Sequence, residues 1–160
     1  MKIAVFPGSF DPFTLGHLEV LKSSLKIFDK VIIAIGNNAS KGGFFPTHLK
    51  VQIAKDAVSG IDNVEVCSFS GLTVDFCIEK GAKFIVRGMR TTTDFELERA
   101  ISQANKRMRP SILTVFIPSS HEYSFISSTV VRDVLVNGGK ATDFIPKNVD
   151  ISKYLKMIQK

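Results

Sequence analysis

At 160 residues, 44% of them hydrophobic, the chain is long enough for a real core and too apolar for disorder. Its 21 Lys and Arg outnumber 15 Asp and Glu, and the formal charge of +6 favours anionic partners, polyphosphates as well as nucleic acid. No apolar run approaches the ~20 residues that span a bilayer, no basic leader with a long apolar stretch opens the chain, and Cys67 and Cys77 make no disulfide framework. A cytoplasmic protein with reduced thiols and no membrane partner is expected.

Lys2–Phe6 (K-I-A-V-F) reads as a buried first strand, stopped by Pro7 and Pro12. Leu18, Leu21, Leu25 and Phe28 then recur at helical steps. The stretch between, F-P-G-S-F-D-P-F-T-L-G-H at 6–17, is therefore a strand-to-helix turn. Gly8 supplies backbone freedom there, and Gly16 permits a close approach to the first helical turn. A helix N-terminus offers unpaired N–H groups to an anion; Ser9 adds a hydroxyl and His17 an imidazole. A lone histidine at a helix start is usually an ordinary hydrogen-bonded residue, but T-x-G-H after a first strand matches the nucleotidyltransferase signature [TH]-x-G-H.

Val31–Ile35 is apolar throughout, as a strand covered on both faces must be. Gly36–Gly43 is a loop with one cation, Lys41, which spacing alone leaves as a solvated lysine. Pro46 and Thr47 open a helix with Leu49, Ile53, Ala54 and Ala57 on one face. Val64–Val66 is a third strand, and a helix with Val74, Cys77 and Ile78 follows, closed at Gly81. Phe84–Val86 is a fourth strand, with Arg87-Gly88-Met89-Arg90 after it. Leu97, Ala100, Ile101, Ala104 and Met108 align along a long helix that Pro110 ends. Ile112–Ile117 is a fifth strand; Ser127, Ser128 and Thr129 then stand ready to cap a helix with Val130, Val131, Val134 and Leu135 inward. A last helix carries Ile151, Tyr154, Leu155 and Ile158.

Five strand–helix alternations without repeat or linker predict one α/β domain over 1–160, a doubly wound, Rossmann-like fold with a five-stranded parallel sheet. In such sheets ligands bind beyond the strand C-termini. The polar motifs after strands one, four and five are thus expected to share a cleft.

Several chemistries lack their residues. There is no G-x-x-x-x-G-K-[ST], no G-x-G-x-x-G after strand one and no G-x-S-x-G. No H-E-x-x-H or Cys/His cluster offers a metal site. What remains is a set of cations and donors without a nucleophile, which suits phosphoryl or nucleotidyl transfer. Arg87 and Arg90 can fork phosphate oxygens; their plainer role is an ion pair with Asp94, Glu96 or Glu98. A basic nucleic-acid module is the rival from another class, but the basic residues follow strand ends rather than forming a stripe with aromatic platforms.

P-G-S-F-D-P-F-T-L-G-H, S-K at 40–41, R-G-M-R-T-T-T-D-F-E-L-E at 87–98 and Y-S-F-I-S-S-T at 123–129 together resemble the bacterial phosphopantetheine adenylyltransferases, in order and spacing, over essentially the whole chain. The resemblance implies transfer of AMP from ATP to 4'-phosphopantetheine, giving dephospho-CoA and pyrophosphate. It also implies Mg²⁺ carried with ATP, a cytoplasmic homohexamer, coenzyme A as feedback ligand, and no nucleic-acid partner. By the same resemblance His17, Lys41 and Arg90 are catalytic. ATP would meet Ser9, Phe10, His17, Gly88, Met89, Arg90, Glu98 and Tyr123, Ser124, Phe125, Ile126, Ser127, Ser128 and Thr129. Ser9, Lys41, Thr73, Arg87 and Asn105 would hold the acceptor. Ala100 and Lys106 replace the family's usual glutamine and arginine, and Pro46–Lys50 replaces a T-x-x-E-R helix start; all three departures are expected away from the reacting centre. A related adenylyl- or cytidylyltransferase acting on a pyridine mononucleotide is the nearest alternative.

Overall fold

The strands alternate with helices because their apolar runs have two different periods. The computed structural model describes residues 1–38 and 42–159. Among these, β1 (Ile3–Gly8), β2 (Lys30–Gly36), β3 (Val64–Phe69), β4 (Phe84–Met89) and β5 (Leu113–Pro118) form one sheet in the order β3-β2-β1-β4-β5. Every neighbouring pair is parallel. The helices are α1 (Leu15–Ser24), α2 (Thr47–Ala57), α3 (Thr73–Glu79), α4 (Thr92–Met108), α5 (Ser128–Val136) and α6 (Ile151–Ile158). This is the expected doubly wound α/β architecture.

Alternation along the buried strands splits the core in two. Ala4 and Phe6 of β1 join Ile33 and Ile35 of β2 under α1, α2, α5 and α6. Val5 joins Ile32, Ala34 and Ile85 on the opposite face, under Val74, Phe76 and Cys77 of α3. Both faces of β1 and β2 are therefore dry, as a parallel sheet requires.

Three readings from the sequence are corrected. Pro7 does not stop β1, which runs on to Gly8 with Pro7 paired to Ala34. The reason is local: β1 pairs with β4 only at Ala4 and Val5, so past that point the proline's missing N–H interrupts no ladder on that side. Likewise β3 extends to Phe69, and β4 takes in Arg87, Gly88 and Met89 rather than ending before them. The long helix forms as α4, but none of its residues is buried: Leu97, Ile101 and Met108 of its aligned stripe are 64%, 44% and 41% exposed, and Val130, read as inward on α5, is exposed too.

The early parting of β1 from β4 matters most for function. Order reverses at this pair, and the strands diverge towards their C-terminal ends, opening a crevice at the topological switch point.

Candidate active site

The crevice begins with the β1–α1 connection. Thr14 caps α1, its hydroxyl accepting from the His17 amide at 3.3 Å, while His17 Nδ1 accepts from the Thr14 amide at 3.0 Å. A side chain at the third helical position thus returns the cap's hydrogen bond, in the manner of a capping box. The consequence is chemical. With Nδ1 occupied as acceptor, a neutral ring carries its proton on Nε2. The ring is held neutral: its pKa is lowered from 6.5 to about 3, first by burial and then by the charges of Arg90 and Arg87. Phe10 packs edge-on against it at 4.8 Å, with Phe13 at 5.3 Å. Phe10 has φ +46°, a left-handed conformation that its packing against Phe6, Phe13 and His17 maintains.

Around this imidazole the crevice has two lobes. The smaller, of about 340 Å³, takes in Phe10, Gly16, His17, Gly88, Arg90 and Ile126–Thr129. The larger, of about 1010 Å³, takes in Asp11, Gly43, Lys50, Thr73, Asn105 and Asp133. Gly8, Ser9, Arg87, Glu98, Thr129 and Arg132 border both, so the lobes meet at Ser9 and Arg87.

Gly8 and Gly88 are needed for space. A Cβ on Gly8 would stand 3.0 Å from the Phe10 ring, and one on Gly88 2.9 Å from Val20 Cγ2 of α1. Gly16 is tight too: its Cβ would lie 3.3 Å from the Ile126 carbonyl, so the turn before α5 presses on the first turn of α1 as expected.

Most of the residues singled out in the sequence come together, with some redistribution. Ser9, Glu98 and Thr129 lie where the lobes join, and Thr73 and Asn105 line the larger lobe. Arg87 uses three of its five N–H donors within the protein. Its Nε and Nη2 bind Glu98 at 2.7 and 2.5 Å, and Nη1 donates to the Pro7 carbonyl at 2.7 Å. The ion-pair reading holds for Arg87, and Glu98 is its partner. Arg90 is looser, 3.6 Å from Asp94 in an i,i+4 pair. Ser127 caps α5 by accepting from the Val130 amide, and Ser128 donates to the Pro12 carbonyl at 2.8 Å.

Met89, Tyr123, Ser124 and Phe125 line neither lobe. Met89 is buried, Ser124 donates to the His121 carbonyl, and Phe125 is exposed with its edge towards Phe144. Lys41 lies outside the described residues. The amides of α1 are also less available than a bare helix start suggests: Leu15 donates to the Phe144 carbonyl and His17 to Thr14, leaving Gly16.

Three residues were not assigned a role from the sequence. Asp11 is buried, its carboxylate accepting from the Phe44 and Phe45 amides at 2.7 and 2.9 Å and so tying the β2–α2 connection to the β1–α1 loop. Arg132 donates to the Asp11 carbonyl at 2.9 Å and to Thr129 Oγ1 at 3.2 Å. Its i,i+3 spacing from Thr129 was the available signal. Lys50, within a departure expected away from the reacting centre, lines the larger lobe and not that of His17.

Neither thiol belongs to the crevice wall, and burial raises both pKa values, that of Cys77 to about 11. The cleft therefore offers a neutral N–H donor, hydroxyls and cations around an open volume. That set serves electrostatic transfer of a phosphorus group.

A nucleotidyltransferase fold and site are what these features define, and the cytidylyltransferase-like family profile matches residues 5–134. A phosphopantetheine adenylyltransferase of Cytophaga hutchinsonii is 48% identical over 92% of this chain and 99% of its own length. Those of Lachnoclostridium phytofermentans and Flavobacterium psychrophilum are 45% and 44% identical over 93% and 94% of this chain, covering 91% and 99% of their own. The chain belongs to the phosphopantetheine adenylyltransferases of the cytidylyltransferase-like family.

Solved structures share the fold at lower identity. A candidate nicotinate-nucleotide adenylyltransferase from Vibrio parahaemolyticus superposes with a TM-score of 0.72 at 21% identity, covering 97% of this chain and 92% of the other. A bifunctional NMN adenylyltransferase/ADP ribose pyrophosphatase from Francisella tularensis gives 0.73 at 20%, covering 97% and 50%.

Proposed function

We propose that the chain transfers AMP from ATP to 4'-phosphopantetheine, releasing pyrophosphate and dephospho-CoA. The observation that carries this reading is His17, whose neutral ring is locked with Nδ1 towards Thr14 and Nε2 free to donate. The names of the relatives support the choice of acceptor.

The acceptor's phosphate oxygen attacks the α-phosphorus of ATP in line, forming a P–O bond as the bond to the β-phosphate oxygen breaks and pyrophosphate leaves. A phosphate monoester is already ionised near neutral pH, so no general base is needed. Negative charge grows on the α-phosphate oxygens, and His17 Nε2–H donates to it without giving up its proton. ATP occupies the smaller lobe, with Arg90, Ser127, Ser128 and Thr129 about its phosphates. The pantetheine arm follows Thr73 and Asn105 in the larger lobe, and Ser9 stands at the junction. Lys41 belongs to the acceptor side of the same proposal. Mg²⁺ carried with the nucleotide would neutralise its phosphates, beside Arg90, Ser127, Ser128 and Thr129.

The wider setting we propose is a cytoplasmic homohexamer with coenzyme A as feedback ligand. Two free thiols suit a reducing compartment. No helix among the described residues is long and apolar enough to cross a membrane.

Pyrophosphate release from ATP, measured with 4'-phosphopantetheine and with nicotinate and nicotinamide mononucleotides, tests the assignment. Turnover with phosphopantetheine alone is expected. Faster turnover with either pyridine mononucleotide would overturn it.

A further inference from the structure

Lys50 is the least expected member of the larger lobe. It lies on the inward side of α2 among Leu49, Ile53, Ala54 and Ala57, and it is only 8% exposed. A lysine so deeply buried ordinarily has a partner, because an ammonium withdrawn from water keeps its charge only at a cost. Among the described residues Lys50 makes neither an ion pair nor a hydrogen bond.

Its surroundings narrow what could meet it. Lys50 Nζ is 3.5 Å from the point where a Gly43 Cβ would stand, and an Asp11 carboxylate oxygen is 3.2 Å from that same point. That carboxylate already accepts two amides, from Phe44 and Phe45. The other cations on this wall are committed as well. Arg87 is forked onto Glu98 and Pro7, and Arg132 onto the Asp11 carbonyl and Thr129. Lys50 is thus the cation of the larger lobe, among the described residues, whose ammonium makes no ion pair and no hydrogen bond.

We propose that Lys50 binds the phosphate monoester of the acceptor and makes the site discriminate phosphorylated acceptors from the corresponding alcohols. This rests on the adenylyl-transfer reading above. Lys50 lines the acceptor lobe and not the lobe of His17, so its anion belongs to the acceptor rather than to the nucleotide. A phosphate oxygen gives the unused ammonium an acceptor and exchanges bulk hydration for a charge-assisted hydrogen bond.

The test compares wild type, Lys50→Met and Lys50→Arg. The quantities measured are the KM for 4'-phosphopantetheine, the inhibition constant of pantetheine, the ATP Kd and thermal unfolding. Loss of one charged hydrogen bond predicts that Lys50→Met raises the phosphopantetheine KM by about ten- to a hundredfold. Pantetheine inhibition and ATP affinity are expected to stay near wild type, and Lys50→Arg to recover most of the loss. Should Lys50→Met not fold, Lys50→Gln undergoes the same titrations. Parallel weakening of phosphopantetheine and pantetheine would reassign Lys50 to packing, and an unchanged phosphopantetheine KM would remove it from the site. If wild type fails to turn over phosphopantetheine at all, the functional reading itself falls. Active wild type with undiminished phosphate preference in the variant overturns only the role of Lys50.

Discussion

At the scale of single residues, the chemistry turns on which nitrogen of His17 carries the proton. The Thr14 amide fixes Nδ1 as acceptor, and burial with Arg90 and Arg87 keeps the ring uncharged, so Nε2 is a donor throughout the physiological range. Removing one donor from a developing oxyanion costs on the order of 10²–10³ in kcat, roughly 3–4 kcal/mol. His17→Ala is therefore expected to lower kcat by about that factor, with ATP affinity within a few-fold of wild type. Steady-state kinetics with an ATP titration decide it, and near-normal turnover would remove the imidazole from the reaction. Acidification gives a second readout. The unfolded ring takes up a proton near pH 6.5 and the folded ring only near 3. In that window the unfolded state binds more protons, so this stabilising contribution is complete above 6.5 and is lost as pH falls towards 3. A ¹⁵N titration is expected to show His17 neutral from pH 8 down to about 4; an imidazolium at pH 6 would contradict the tautomer argument.

At the scale of elements, much of the site was legible because it is carried by local patterns. T-x-G-H after an apolar strand, and I-S-S-T before an amphipathic helix, each announce a strand-to-helix turn, and their helices start as the capping residues imply. What the sequence concealed were contacts made across the chain. Arg132 donates to the Asp11 carbonyl 121 positions away, and no periodicity encodes such a link, whereas Glu98 was already among the partners the sequence offered Arg87. Pro7 misled for a related reason, since its cost depends on whether a neighbouring strand is present. Asp11 is the strongest of these hidden links. Asp11→Ala would leave the Phe44 and Phe45 amides without an acceptor, at roughly 1–3 kcal/mol for each buried group left unpaired. A clearly lowered unfolding temperature and a raised KM for both substrates are expected. An unchanged melting curve would show the β2–α2 connection to be held by other means.

For the whole molecule the informative element is α4, whose apolar positions recur at helical spacing and yet face outward. The edge of Phe95 lies against Phe116 of β5 at 5.7 Å, but Leu97, Ile101 and Met108 remain exposed. A row of large apolar side chains costs solubility unless another surface covers it, and on a basic chain of this size that surface is most simply a second copy. Ile101 also lines the larger lobe while Leu97 does not, so the proposed assembly face and acceptor lobe would meet on one helix. Leu97→Asp would place a charge in the covered face without altering the lobe's own lining. Light scattering is expected to give six chain masses for wild type and a smaller species for the variant, with far-UV circular dichroism unchanged. Loss of assembly frees the helix that carries Ile101, Ser102 and Asn105, all on the wall of the larger lobe. The acceptor KM should consequently rise more than the KM for ATP. A variant that keeps the wild-type mass would show that α4 is not the assembling face, and a monomeric, fully active wild type would separate catalysis from assembly altogether.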